Sequence, residues 1–178
     1  MIKKLLKNDK GQGVLEFALV LPIFIFIIFT IIDFTWFAYQ SHSINYSYQK
    51  AGWEISLSEI GDNDDLEDIP SIKIITGSLA SKIIKDRISN SADGIISDNL
   101  AIENGKFTLS NKRANFQLPD RNNEILYGTR TNRYLQIDAD ITYSIKPLTY
   151  VGKIFFGNSY EIKRKLDRKI IAKVQQRT

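Results

Sequence analysis

Phe17 to Ile32 reads FALVLPIFIFIIFTII, sixteen residues without a charge, and Asp33 is the sole charged residue between Phe17 and Tyr39. As a helix the sixteen cover about 24 Å, and the stretch to Tyr39 about 34 Å, against a hydrocarbon core of about 30 Å. The segment is therefore read as a membrane-spanning helix over residues 12–39. Lys3, Lys4, Lys7 and Lys10 precede it against Asp9 alone, while Phe34, Trp36, Phe37 and Tyr39 crowd its far end. A basic flank on one side and an interfacial aromatic cluster on the other leave the N-terminus in the cytoplasm and put the chain from about Gln40 outside it. A cleaved secretory signal is the competing reading, with Ser41-His42-Ser43 as its small-residue site. The apolar run is longer than the usual signal core, and Glu16 stands at its start.

Outside this segment the composition is that of one ordinary folded domain: 178 residues, 43% hydrophobic and 25% charged. The chain has no cysteine and a single histidine, His42. Disulfide scaffolds, thiolate metal sites, cysteine nucleophiles and histidine-rich centres are excluded together, and no cofactor or metal is expected. The net charge of +4, from 24 basic and 20 acidic residues, is too mild to call for nucleic acid.

Ile44, Tyr48, Ala51 and Ile55 follow at near four-residue spacing, so the membrane helix is expected to run on to about Leu57 as a helical stalk over residues 40–58. Residues 59–178 form the extracytoplasmic domain. Glu54 to Asp68 holds seven acidic residues and no basic one, with Gly61 and Asp62-Asn63-Asp64-Asp65 marking a loop. Leu66 occupies a ligand position of the calcium-loop pattern, so a solvated acidic loop is expected. Leu79, Ile83, Ile84 and Ile88 suit one face of a second helix ending within Ser89 to Gly94.

Strands follow. Leu100 to Leu109 reads as a hairpin turning on Asn104-Gly105, with Ile102 opposite Phe107 and Leu100 opposite Leu109. From Leu135 to Lys146 the alternation is complete, with Leu135, Ile137, Ala139, Ile141, Tyr143 and Ile145 on one face. Gly157-Asn158 offers a second hairpin turn, setting Phe155 opposite Tyr160. Tyr160 to Val174 fits a helix at four-residue spacing and a strand at even spacing, and a strand is favoured. The seven basic residues from Lys163 to Arg177 suit a charged edge strand, or else a surface for an anionic polymer. The fold class is α+β: a long N-terminal transmembrane helix extended into a stalk, then a small antiparallel sheet with one further helix.

Glu16 needs its own account, because a carboxylate costs about 2.5–3.5 kcal/mol at the centre of a span and less at its edge. Gly11, the four residues Gln12-Gly13-Val14-Leu15, then Glu16-Phe17 and an apolar helix give the G-xxxx-E-[FY] layout of a prepilin. The stretch Val14 to Pro22, VLEFALVLP, with Asp33-Phe34 near the end of the span, resembles the TadE-like family, minor pseudopilins of tight-adherence (Flp-type) pili. Ala51-Gly52 is similar to the small-residue block that follows the membrane helix there, with Trp53 in place of an alanine. The pair of C-terminal cysteines carried by many relatives is absent.

The resemblance implies a pilin-like structural protein, not an enzyme, with residues 1–11 as a leader cut between Gly11 and Gln12 by a prepilin peptidase. It implies other pilin and pseudopilin subunits and the inner-membrane assembly platform as partners. Glu16, at the fifth mature position and near the positive end of its own helix, could then meet the α-amino group of a neighbouring subunit. Phe17 belongs to the same packing surface. Pro22 removes one helical hydrogen bond and either bends the span or is simply tolerated there. For Asp33, headgroup solvation is the default reading and a contact with a partner the sharper one. Two other classes compete: an uncleaved single-pass anchor displaying a binding or sensor domain, and an anchored hydrolase. The best carboxylate pair for the latter, Asp138 with Asp140, lies on a solvent face without a partner base.

Overall fold

The computed structural model describes residues 9–62, 72–119 and 125–177. The basic leader residues Lys3, Lys4 and Lys7, and the acidic loop from Asn63 to Asp68, lie outside the described residues. The chain divides into two compact units. One holds the N-terminal residues to Ser41 together with Ile145–Tyr160; the other holds His42–Ser144 and Glu161–Thr178.

A single helix, α1 (Asp9–Glu54), contributes to both units and passes through Pro22 without a break. It stops three residues short of the expected Leu57, because the chain turns through Ile55 to Gly61: the Asp62 amide reaches the Leu57 carbonyl at 2.9 Å, and Gly61 adopts a positive φ of 67°. Ile55 and Ile60 remain buried in that turn.

In the first unit, α1 is accompanied by a short helix, α3 (Tyr150–Phe156), which replaces the hairpin expected around Gly157-Asn158. The reason lies at its ends. The Thr149 side chain caps the N-terminus by accepting from the Gly152 amide, and Gly157, at φ 72°, stops the helix with its amide on the Lys153 carbonyl. The glycine serves as a helix stop rather than a strand turn.

The second unit is built on a four-stranded sheet in the order β1 (Ile72–Thr76), β2 (Leu100–Pro119), β3 (Ile125–Ile145), β4 (Tyr160–Arg177). β1 pairs with β2 and β2 with β3, both antiparallel. Helix α2 (Ser78–Ser91) packs on β1 and β2. Its buried face is Ala80, Ile84, Ile88 and Ser91, whereas Leu79, expected on that face, is 58% exposed. The fold class is α+β, as the sequence indicates.

The alternation from Leu135 to Ile145 holds: all six inward residues are buried. β4 is a strand at the edge of the sheet, where its lysines and arginines guard against pairing with other chains. The expected hairpin at Asn104-Gly105 does not form. β2 runs straight through it, pairing Ile102 with Ile141, Phe107 with Ile137 and Leu100 with Tyr143. Between the Glu103–Asp140 and Lys106–Asp138 pairs, Asn104 and Gly105 stand opposite the single residue Ala139, a β-bulge. Asn104 takes a positive φ of 54°, as it would in a turn. A tight hairpin and a bulge ask for the same backbone, and the long apolar face of β3 decides for the bulge. Gly105 is also required there by packing, since a Cβ would lie 2.6 Å from Ser81 Oγ and 2.7 Å from the Ser81 amide nitrogen.

Candidate functional site: a buried aspartate beside the apolar helix

Within α1 the residues from Gly13 to Phe29 are exposed on every side of the helix, although an 18-residue window in it reaches a mean hydropathy of 2.8. The helix is long and apolar enough to cross a membrane. Glu16, Phe17 and Pro22 all lie in this exposed part. Gly11 and Gln12 lie within the helix as well.

Asp33 behaves differently. It is 2% exposed, and its burial comes from the Ile145–Tyr160 segment. Oδ1 accepts from the Leu148 amide at 2.8 Å and from the Thr149 amide at 3.1 Å, and Oδ2 accepts from the Thr149 hydroxyl. Thr149 Oγ1 in turn accepts from the Gly152 amide at 3.2 Å, so one threonine links the carboxylate to the first turn of α3. Gly152 is buried against the same carboxylate, and a Cβ there would run into it. The negative charge is thus compensated by N–H and O–H donors and by the positive end of a helix, with no cation paired to it among the described residues. Headgroup solvation, the default expectation for Asp33, is replaced by a partner inside its own chain.

Aromatic contacts extend the seam. The Phe156 ring stacks on Phe37 at 5.2 Å between centroids and meets Phe34 edge-on at 5.2 Å, while Phe155 lies 6.1 Å from Phe26. Tyr160 meets Phe37 edge-on at 4.9 Å, and Trp36 Nε1 donates to the Lys146 carbonyl at 3.2 Å. Of the aromatics assigned from sequence to a membrane interface, Phe34, Trp36 and Phe37 contact this segment, while Phe34 and Tyr39 stay about half exposed.

A second buried polar cluster, unread in the sequence, lies in the sheet unit. Arg133 is fully buried; its Nε and Nη2 donate to Asp62 Oδ2 at 3.1 and 2.9 Å, and its Nη1 donates to Asn111 Oδ1 at 2.9 Å. Lys73 Nζ reaches Asp62 Oδ1 at 3.1 Å. Asp62, expected in a solvated acidic loop, is instead the buried counter-ion of an arginine. The signal was available, because Arg133 continues the two-residue period of the inward face of β3 from Leu135. Of the carboxylates Asp138 and Asp140, the first is half-buried and the second is exposed and accepts from Asn104 Nδ2 at 2.7 Å. No metal-binding cluster of histidine, aspartate or glutamate occurs among the described residues.

These features define the class of the molecule as a helix-led α+β protein whose apolar N-terminal helix is compatible with a single-pass membrane anchor. Residues 11–51 match a family model described as TadE-like protein, so the match begins at Gly11 and lies wholly within α1. That family suggests a component associated with tight-adherence pili, which is a structural class. No curated protein and no solved structure matches the chain.

Proposed function

We propose that the chain is a minor pseudopilin, a structural component that assists assembly of a tight-adherence type IV pilus. The observation that carries this reading is the TadE-like match from Gly11 to Ala51, because it spans the prepilin-type layout and the apolar helix together. In this account residues 1–11 are the leader and a prepilin peptidase cuts between Gly11 and Gln12. The N-terminus begins in the cytoplasm, the span crosses at residues 12–39, and the sheet unit lies outside the cytoplasmic membrane. Glu16 and Phe17 form the contact with neighbouring pilin helices. The exposure of the α1 surface from Gly13 to Phe29 supports this, since such a surface requires lipid or other helices around it. Glu16 would then hold the amine of a neighbouring subunit, a pair worth more in lipid than in water. Pro22 gives the span a point of bending during that packing. No enzymatic activity belongs to this function.

Complementation of a strain lacking the gene tests the proposal. The wild-type chain is expected to restore surface pili, whereas Gly11→Ala and Glu16→Ala fail to do so while accumulating in the membrane. Full pilus production by both variants would overturn the reading and leave an uncleaved anchor carrying a binding or sensor domain.

A further inference from the structure

The segment that buries Asp33 carries an apolar surface of its own. Leu148, Tyr150, Ile154 and Phe155 are all exposed, Ile154 by 63% and Phe155 by 53%. This surface is continuous with the apolar helix. Phe155 lies 6.1 Å from Phe26 and 6.5 Å from Phe34, so its ring sits alongside the C-terminal half of the span rather than beyond its end. Phe26 precedes Asp33 by seven residues, which is about 10 Å of helix rise.

From this geometry we infer that residues 147–156 are a second membrane-embedded element, which enters the leaflet at the C-terminal end of the span and contacts lipid through Leu148, Ile154 and Phe155. Three features favour lipid over a second protein chain as the occupant. First, much of the irregular backbone at the start of α3 is met from within: Pro147 has no amide hydrogen, the Leu148 and Thr149 amides donate to Asp33, and the Gly152 amide donates to Thr149. Non-helical backbone survives in hydrocarbon only when its polar groups are met in this way. Second, Lys146 just before the segment and Lys153 within it are both exposed, and Tyr150 lies between them, the residue set that settles at headgroups while neighbouring apolar side chains meet lipid. Third, the apolar surface joins that of the span without a polar break at Asp33, whose charge is turned inward.

The absence of cysteine makes the test direct. The full chain, carrying a nitroxide on Phe24→Cys, Ile154→Cys or Ile171→Cys in turn, is placed in phosphatidylethanolamine and phosphatidylglycerol vesicles. Collision with oxygen is then compared with collision with a water-soluble nickel chelate. The expected result is an oxygen-to-nickel ratio at Ile154→Cys close to that at Phe24→Cys and several-fold above that at Ile171→Cys, an exposed position on β4. A ratio at Ile154→Cys equal to that at Ile171→Cys, with Phe24→Cys still in lipid, would overturn the proposal alone. A water-like ratio at Phe24→Cys would remove the membrane span itself. Shielding of Ile154→Cys from both reagents would assign the surface to a second protein chain and equally overturn the proposal. Carbene labelling of the unsubstituted chain from a diazirine-bearing lipid gives an independent reading: the peptide following Lys153 must be marked, and its absence from the labelled set contradicts membrane entry.

Discussion

The Asp33 carboxylate and the Thr149 hydroxyl meet across 116 positions of sequence, and that hydrogen bond joins the apolar helix to the start of α3. Both oxygens of the carboxylate are occupied, two backbone amides depend on it, and Gly152 is held against it. Removal of the acceptor therefore leaves buried donors unmet, which is the expensive direction of the exchange.

Asp33→Ala is expected to cost about 1–3 kcal/mol, the penalty for orphaned buried donors. The loss should be local. Hydrogen exchange on the full chain in detergent would show the Leu148 and Thr149 amides losing protection while the β2 and β3 amides keep theirs. Asp33→Asn retains one acceptor oxygen and should fall between wild type and Asp33→Ala.

Gly152→Ala places a methyl group where the Asp33 carboxylate sits and is expected to release α3 as completely as Asp33→Ala does. Tryptic cleavage after Lys153 is the readout, with faster cutting expected in both variants. At Gly157, where φ is 72° and ψ −160°, any side chain is strained by about 1–3 kcal/mol, although the surroundings are open. Gly157→Ala should therefore fray the end of α3 without disturbing Asp33.

Arg133→Ala strands the buried Asp62 carboxylate with Lys73 as its remaining cation, and breaking such a pair typically costs about 3–5 kcal/mol. Replacing both partners, Arg133→Met with Asp62→Leu, should be less harmful than either single change. Denaturant unfolding of the full chain in micelles measures this as a shift in midpoint.

Gly105→Ala pushes a Cβ into Ser81 of α2, and overpacking of this kind costs about 1–3 kcal/mol. Asn104→Gly, which keeps the positive φ available, should be close to neutral. Equal destabilisation by the two in thermal melts would contradict the bulge as the source of the effect.

The contrast between β3 and β2 explains what could be read in advance. From Leu135 to Ile145 the period of two coincided with burial, so one segment determined its own face. Arg133 broke the apolar pattern while keeping the phase, and only its distant partner Asp62 makes an inward arginine tolerable. Asn104-Gly105 announced a positive φ correctly, but local sequence cannot distinguish a turn from a bulge when the partner strand lies thirty or more residues away. Gly157 reads as a hairpin turn and Thr149 does not stand out, because the seven residues between them are too few for a helical period to show. β1 was missed because Ile72 to Thr76 lies at an edge and carries no clean alternation, with Ile74 and Ile75 adjacent. In the candidate site, Glu16, Phe17 and Pro22 could be singled out because they form a linear motif. The role of Asp33 could not, since nothing near it in sequence names Thr149.

Processing at Gly11 separates a pseudopilin from an uncleaved anchor. Intact mass and N-terminal sequence of the chain from membranes of cells with and without a prepilin peptidase test it most directly. A chain beginning at Gln12 is expected when the peptidase is present, an uncut chain when it is absent, and loss of processing in Gly11→Ala. A chain beginning at Met1 in both cells would contradict the pseudopilin assignment, and a start near Ile44 would show a secreted protein released from its signal.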